Sequence, residues 1–159
     1  MAEGATFQRE RITDLWGELQ PLAEAHLAET GNSDLPLKMS HEVYEAAQVA
    51  GCHRFYTARI NGELVGYCSM ILSHCVHDGA AEAHEDGIYV VPFHRGFMGT
   101  DLERWSDDLM ALDDRVQRVY RERIIEVDMM DRAMRRGPVG YHPRSMLWRR
   151  DLKPVPREA

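Results

Sequence analysis

No apolar run in this sequence reaches the roughly 18 residues that a membrane-spanning helix needs. The opening segment, MAEGATFQRERITD, is polar and charged and does not read as a secretory leader. Cysteine is scarce: Cys52, Cys68 and Cys75 are odd in number and have no zinc-ligand spacing. They read as reduced thiols of a cytoplasmic protein, not as a disulfide framework. Positive charge is in short supply too. Lys and Arg number 19 against 26 Asp and Glu, a net charge of −7. That balance argues against a nucleic-acid partner held by phosphate neutralisation and against a polybasic membrane anchor. There is no internal repeat and no low-complexity tract. What remains is 159 residues with 44% hydrophobic side chains, enough for one domain over residues 1–152 with its own core. Residues 153–159, KPVPREA, read as a mobile tail. The entry in excess is histidine, with eight residues.

Helical and strand patterns alternate. Thr6–Ile12 reads as a short strand. Thr13 stands as a candidate N-cap for a helix whose Leu15, Leu19, Leu22 and His26 share one face, with Pro21 expected to kink or divide it. His26 is expected to cap or pack within that helix. Ser40 opens a second helix with Val43, Ala47 and Ala50 on one side and Gly51 as its stop. Phe55–Ile60 and Leu64–Leu72 flank Asn61-Gly62, which supplies the two positive φ angles of a type I′ hairpin turn. A loop is expected over His74–Glu85, then a buried strand Gly87–Val91 stopped by Pro92. Beyond the next loop, Leu102, Trp105, Leu109 and Leu112 mark a core-facing helix. A strand at Gln117–Arg121, a helix at Asp128–Arg136 and a strand at Met146–Leu152 complete the order β-α-α-β-β-β-α-β-α-β. This is an α/β or α+β fold around a mixed sheet.

The stretch from Ile88 to Leu112 carries most chemical information. A buried strand runs into a loop holding Arg95, Gly96 and Gly99, and then into an amphipathic helix. Such a loop gathers backbone N–H groups at a helix N-terminus, where a phosphate can sit, and glycine lets the backbone approach the anion. A plain strand-to-helix turn is the alternative. Thr100-Asp101-Leu102-Glu103 also spells a capping box. If that box forms, the helix starts at Asp101, and Asp101 and Glu103 would oppose an anion.

The run Val90-Val91-Pro92-Phe93-His94-Arg95-Gly96-Phe97-Met98-Gly99 resembles the cofactor motif of the GNAT superfamily of N-acetyltransferases, a strand ending in Val-x-Pro followed by Arg-Gly and a glycine loop. Leu64-Val65-Gly66-Tyr67 resembles the family's usual third strand. The resemblance runs over about residues 5–152, and it is strongest to short bacteriophage-encoded members. Those share Pro21-Leu-Ala-Glu-Ala-His26 in the first helix and the His-rich Ser73-His74-Cys75-Val76-His77. The loop departs from the family's Arg-Gly-x-Gly-x-Gly by lacking the middle glycine and by placing its second glycine one residue early.

The resemblance implies a mixed, mostly antiparallel central sheet flanked by helices. It implies an N-acetyltransferase that moves acetyl from acetyl-CoA to a primary amine by direct attack in a ternary complex. The cofactor would lie beside Tyr89, Val90 and Val91, with its pyrophosphate on the amides of Arg95, Gly96, Phe97, Met98, Gly99 and Thr100 and with His94 as a further phosphate contact. A base is needed, since only a neutral amine attacks. Glu85 or Asp86 stands where the family often places it. The family's usual tyrosine acid has no counterpart at Ala133 or Arg136, so Tyr120 and Tyr141 are the substitutes. The alternative is a catalytically degenerate GNAT-fold interaction or virion-associated protein. His74, His77 and His84 lack metal-ligand geometry on a strand, so no metal is expected. With His94 they are candidates for a pocket wall. The implied partners are a small-molecule or protein amine, with a homodimer or a larger phage assembly open.

Overall fold

A computed structural model describes residues 4–30, 37–124 and 145–152. Among them, six strands form one sheet in sequential order: β1 (Ala5–Glu10), β2 (His53–Ile60), β3 (Glu63–His74), β4 (Ala81–Val90), β5 (Val116–Ile124) and β6 (Ser145–Asp151). All neighbouring pairs are antiparallel except β4 with β5. Three helices cover the sheet: α1 (Trp16–Thr30), α2 (His41–Val49) and α3 (Phe97–Ala111). Among the described residues no helix is long and apolar enough to cross a membrane. The helix expected at Asp128–Arg136, Tyr141 and the tail 153–159 lie outside the described residues.

The hairpin forms as its sequence dictates. Asn61 and Gly62 take φ of 51° and 86° and join β2 to β3. Ser40 caps α2, its Oγ accepting the Val43 N–H at 3.4 Å. At the other end Cys52 N–H reaches Ala47 C=O and Gly51 N–H reaches Gln48 C=O, with Gly51 at φ 75°. These two bonds make the Schellman ending expected of that glycine.

Four expectations need correction. The first strand is Ala5–Glu10, and Ile12 turns into the core at 1% exposure. Thr13 is no cap: its Oγ1 is buried without a hydrogen-bond partner among the described residues, and α1 begins three residues later. Pro21 does not divide α1. The carbonyl that its missing N–H leaves without a helical donor belongs to Gly17, which is exposed to solvent. The segment 81–85, expected as loop, is the first half of β4. Its polar side chains find tertiary partners, so Ala81–His84 pair on both edges without showing an apolar pattern.

The core lies on both faces of the sheet. On one, α3 buries Met98, Leu102 and Met110 against Cys68, Met70, Ala83, Val116 and Val119. On the other, Leu15 and Leu19 pack on Phe55, Tyr67 and Tyr89. A bulge in β4 sets which residues face which layer. Ser69 pairs with Gly87 and Met70 with Glu85, so Asp86 is the extra residue. Ala83 before it belongs to the α3 core, whereas Tyr89 after it belongs to the α1 core.

Candidate active site

The β4–β5 pairing is partial. Ala81–His84 lie beside Val116–Tyr120, and over Gly87–Val90 β4 has no strand paired on that edge among the described residues. Val91 N–H bonds Val65 C=O at 2.9 Å. By antiparallel alternation, Tyr89 and Gly87 then direct their backbone groups at β3, while Val90 and Ile88 direct theirs into the gap. A cleft of about 760 Å³ opens there, walled by β4 from Glu85 to Val90 and by α1, with Tyr44, Phe55, Tyr67 and Ser69 behind.

The strand leaves this cleft through a 3₁₀ turn, Pro92–His94, and α3 begins at once. Its N-cap is Gly96, at φ 95°, with no side-chain cap, and its first turn holds no acid. The capping box at Thr100–Glu103 therefore does not start the helix. A glycine at positive φ reverses the chain four residues earlier than the local signal, which places Asp101 and Glu103 in the second turn. The amides of Phe97, Met98 and Gly99 are left without intrahelical acceptors, the arrangement that suits an anion. Phe97 projects outward at 84% exposure, and a Cβ built on Gly99 or Gly96 meets nothing within 4 Å. The loop is thus open on its outer side, and the departure from the family's glycine pattern does not block it.

Arg95 bridges the cleft mouth. Its Nε donates to Val90 C=O at 2.9 Å, and its Nη2 meets Glu29 of α1 at 2.6 and 2.7 Å. The guanidinium lies 5.5 Å from the Tyr89 ring centre.

The two acidic candidates have different surroundings, because the bulge sends them to opposite faces. Glu85 turns toward α3, where Oε2 accepts from Arg121 at 2.9 Å with only 4% of its side chain exposed. Arg121 also donates to Ser106 Oγ at 2.7 Å, Asp107 at 2.6 Å and the Cys68 sulfur at 3.0 Å. Burial works against the charge on Arg121, but its ion pairs with Asp107 and Glu85 outweigh it and raise its pKa. The same burial pushes the Cys68 thiol up to about 11, so it stays protonated. Asp86 is exposed and turns the other way, its Oδ2 accepting from Ser69 Oγ at 3.0 Å.

Sequence reasoning missed much of the inner wall. His26 is a cleft residue: its Nδ1 lies 2.7 Å from Tyr67 Oη and its ring stacks 5.3 Å from Tyr89. Its seat is Gly87, where a Cβ would come within 3.2 Å of His26 Cε1. Burial lowers the His26 pKa and raises that of Tyr67, which favours the uncharged form of each partner. The four histidines expected at the pocket do not line it. His74 and His77 are exposed, and His94 sits in the turn against Phe93. His84 stacks on Tyr120 with centroids 4.5 Å apart, and Tyr120 Oη donates to Glu82 at 3.1 Å. The signal available for the inner wall was period-two alternation. It puts Tyr67 and Ser69 on one face of β3. Among the described residues no three of His, Cys, Asp and Glu are grouped to hold a metal ion.

A strand with a half-open edge, a bulge at the opening and a glycine-capped helix after it define the GNAT fold, and solved structures bear this out. The chain is similar to an aminoglycoside acetyltransferase from an uncultured soil metagenomic sample, solved with sisomicin (TM-score 0.62, 15% identity, 88% of this chain and 91% of that one). It is similar to an Arabidopsis thaliana protein solved with the bisubstrate analogue CoA-Ac-MVNAL (TM-score 0.57, 15% identity, 93% and 99% covered). It is also similar to the ribosomal-protein-alanine N-acetyltransferase of Brucella melitensis biovar Abortus 2308 (TM-score 0.56, 20% identity, 70% and 73% covered). No protein-family model and no curated protein matches the sequence.

Proposed function

We propose that this protein is an N-acetyltransferase that moves an acetyl group from acetyl-CoA to a primary amine held in the cleft. The observation that carries this reading is the unpartnered edge of β4 running straight into the uncapped first turn of α3. An extended chain with amide groups can add to that edge as another strand would. A diphosphate at its end then meets the N-terminal amides of the helix. A structural neighbour solved with a CoA-linked bisubstrate analogue supports acetyl-CoA as the co-substrate.

In this reading Tyr89, Val90 and Val91 line the cofactor arm, and the cleft-facing N–H of Val90 polarises the acyl oxygen. Arg95, Gly96, Phe97, Met98, Gly99 and Thr100 hold the diphosphate, with His94 beside them. Acetyl-CoA supplies an activated acyl group, and the chain supplies alignment and a proton acceptor. Asp86 is the acceptor of choice, because its carboxylate is exposed at the cleft whereas Glu85 is engaged by Arg121. Glu85 then keeps Arg121 in place behind the opening. Tyr141 is retained as the candidate acid for the leaving thiolate.

Titration calorimetry with acetyl-CoA tests the binding half. Absence of binding at millimolar cofactor sinks the reading. The transfer half is tested by following acetyl-CoA consumption with a panel of 1,4-diaminobutane, spermidine, lysine methyl ester and kanamycin.

A further inference from the structure

Three strands contribute one continuous set of hydrogen bonds behind the cleft. His53 on β2 is 1% exposed, and its Nε2 lies 2.9 Å from Ser69 Oγ on β3. Ser69, 4% exposed, donates in turn to Asp86 Oδ2 on β4 at 3.0 Å. A hydroxyl has one proton to give, and an ionised carboxylate can only accept. The Ser69 proton therefore points at Asp86, and His53 Nε2 must carry the proton that reaches Ser69 Oγ. In the neutral ring this is the Nε2–H tautomer, and Nδ1 is then a bare lone pair, buried with no hydrogen-bond partner among the described residues.

We propose that His53 and Ser69 are positioning residues for Asp86, occupying one carboxylate oxygen of the bulged residue so that Oδ1 alone is presented to the incoming amine. The inference rests on Asp86 as the base. In the step it serves, the acceptor's ammonium gives its proton to Asp86 Oδ1 and keeps the nitrogen lone pair for attack. The bulge makes the device necessary. Asp86 is the one residue of its strand pair without an opposite number on β3, so its backbone alone does not define where the side chain points. The ring environment agrees with a neutral, fixed imidazole. Tyr44 of α2 meets His53 edge-on at 5.2 Å and Phe55 lies 6.1 Å away. Burial lowers the His53 pKa, and the Asp86 charge opposes that in part. Arg9, Glu10 and Arg11 border the small cavity of about 370 Å³ that His53 also lines, with Gln48 and Val49. A structural role alone would not require this chain of donors, because an apolar ring would pack between Tyr44 and Phe55 as well.

The test compares wild type with Ser69→Ala, Ser69→Thr, His53→Gln and Asp86→Asn on the full chain. Nitrogen-15 NMR of the His53 ring is expected to show the Nε2–H tautomer in the wild type. An Nδ1–H tautomer reverses the direction of the bonds and overturns the proposal even if no variant folds. Ser69→Ala is expected to lower kcat with the amine panel about tenfold or more while acetyl-CoA affinity stays unchanged, an effect of the size other supporting hydrogen bonds have. Ser69→Thr, which keeps the hydroxyl, restores kcat. His53→Gln, whose amide can donate to the same oxygen, retains part of it. The acidic limb of the kcat/KM profile should move in Ser69→Ala and return in Ser69→Thr, which a packing defect would not produce. If Asp86→Asn transfers as fast as wild type, or no amine of the panel is acetylated, the base or the acetyltransferase reading falls and the relay with it. If Asp86→Asn is slow while Ser69→Ala keeps the wild-type kcat and profile, the base stands and the relay is wrong.

Discussion

The two halves of β4 are one strand with two fates. Over Ala81–His84 it has β3 on one side and β5 on the other, and Glu82 ties the seam by accepting from Arg118 at 2.8 Å and from Tyr120 at 3.1 Å. Over Gly87–Val90 β3 is its one paired neighbour among the described residues, and the edge that faced β5 borders the cleft. Side-chain chemistry does not separate the halves, since both mix acids, apolar residues and rings. The second edge does. A strand whose polar backbone is satisfied on both sides is framework. The same strand with one side open can bind a chain of amides. Arg121 stands at the junction, below the opening, and holds Glu85 of β4 to Ser106 and Asp107 of α3.

The harshest way to break this contrast is Arg121→Ala. It leaves Glu85 and Asp107 buried together without their cation, and a loss of about 3–5 kcal/mol is expected by chemical denaturation. The closed half should loosen, with faster amide exchange in β5. Asp86→Asn sharpens the contrast from the other side. It should lower kcat by about 100-fold, the effect of removing a general base, with the unfolding midpoint unmoved. A shift in stability comparable to that of Arg121→Ala would mean that the two halves are not separable.

Gly66→Ala attacks the wall that both halves share. A Cβ there would lie 2.9 Å from Tyr89 O and 3.0 Å from Val90 Cγ2, so backbone must move. A cost of about 1–3 kcal/mol is expected. Acetyl-CoA binding should weaken as well, measured by calorimetry, because Val90 is the residue displaced.

Acid should act on the halves in sequence. His26 and His53 have pKa values lowered from 6.5 by burial, so the unfolded chain takes up their protons first, and stability falls as the pH drops below 6.5. Glu82 is lowered from 4.5, since its hydrogen bonds from Arg118, Tyr120 and His84 outweigh burial. Its contribution is whole above that value and is lost as the pH falls through the folded pKa. Thermal melts from pH 8 to pH 3 should show both stages, and His53→Gln should flatten the first. The smallest effect on stability is expected for Arg95→Ala. Its pair with Glu29 is 45% and 43% exposed and contributes less than about 1 kcal/mol. Acetyl-CoA affinity should fall nonetheless, and an unchanged affinity would remove the diphosphate from the α3 N-terminus.

How much of this was legible beforehand follows the same division. The Asn61-Gly62 turn, the stop at Pro92 and the Leu102 face of α3 are local signals, and each produced the element expected. The fold class and the family resemblance followed from their order. The first half of β4 was read as loop because Glu82 and His84 look like surface residues until Arg118 and Tyr120 are brought beside them. The α3 start was misplaced because a good local cap at Thr100 lost to a chain reversal at Gly96 that only the tertiary course of β4 demands. In the site, the glycine loop was visible as a motif. His26, Tyr67, Ser69 and His53 were not, since they converge from α1, β2 and β3, and the alternation that puts Tyr67 and Ser69 on one face of β3 does not say what meets them there. Glu85 and Asp86 are neighbours in sequence and part company only through the bulge.

That bulge makes β4 unequally tolerant of different kinds of genetic change. Exchanging one side chain for another along Glu85–Val90 alters a single contact. Deleting Asp86 would put the strand back in simple alternation, with Met70–Glu85 and Ser69–Gly87 as consecutive pairs, so Tyr89 and Val90 would keep the faces they have. A residue gained between Ile88 and Tyr89 would instead drive Tyr89 among the α3 core residues and turn Val90 out toward α1. This short segment should therefore keep its fold after the loss of one codon at the bulge far more readily than after the gain of one beyond it.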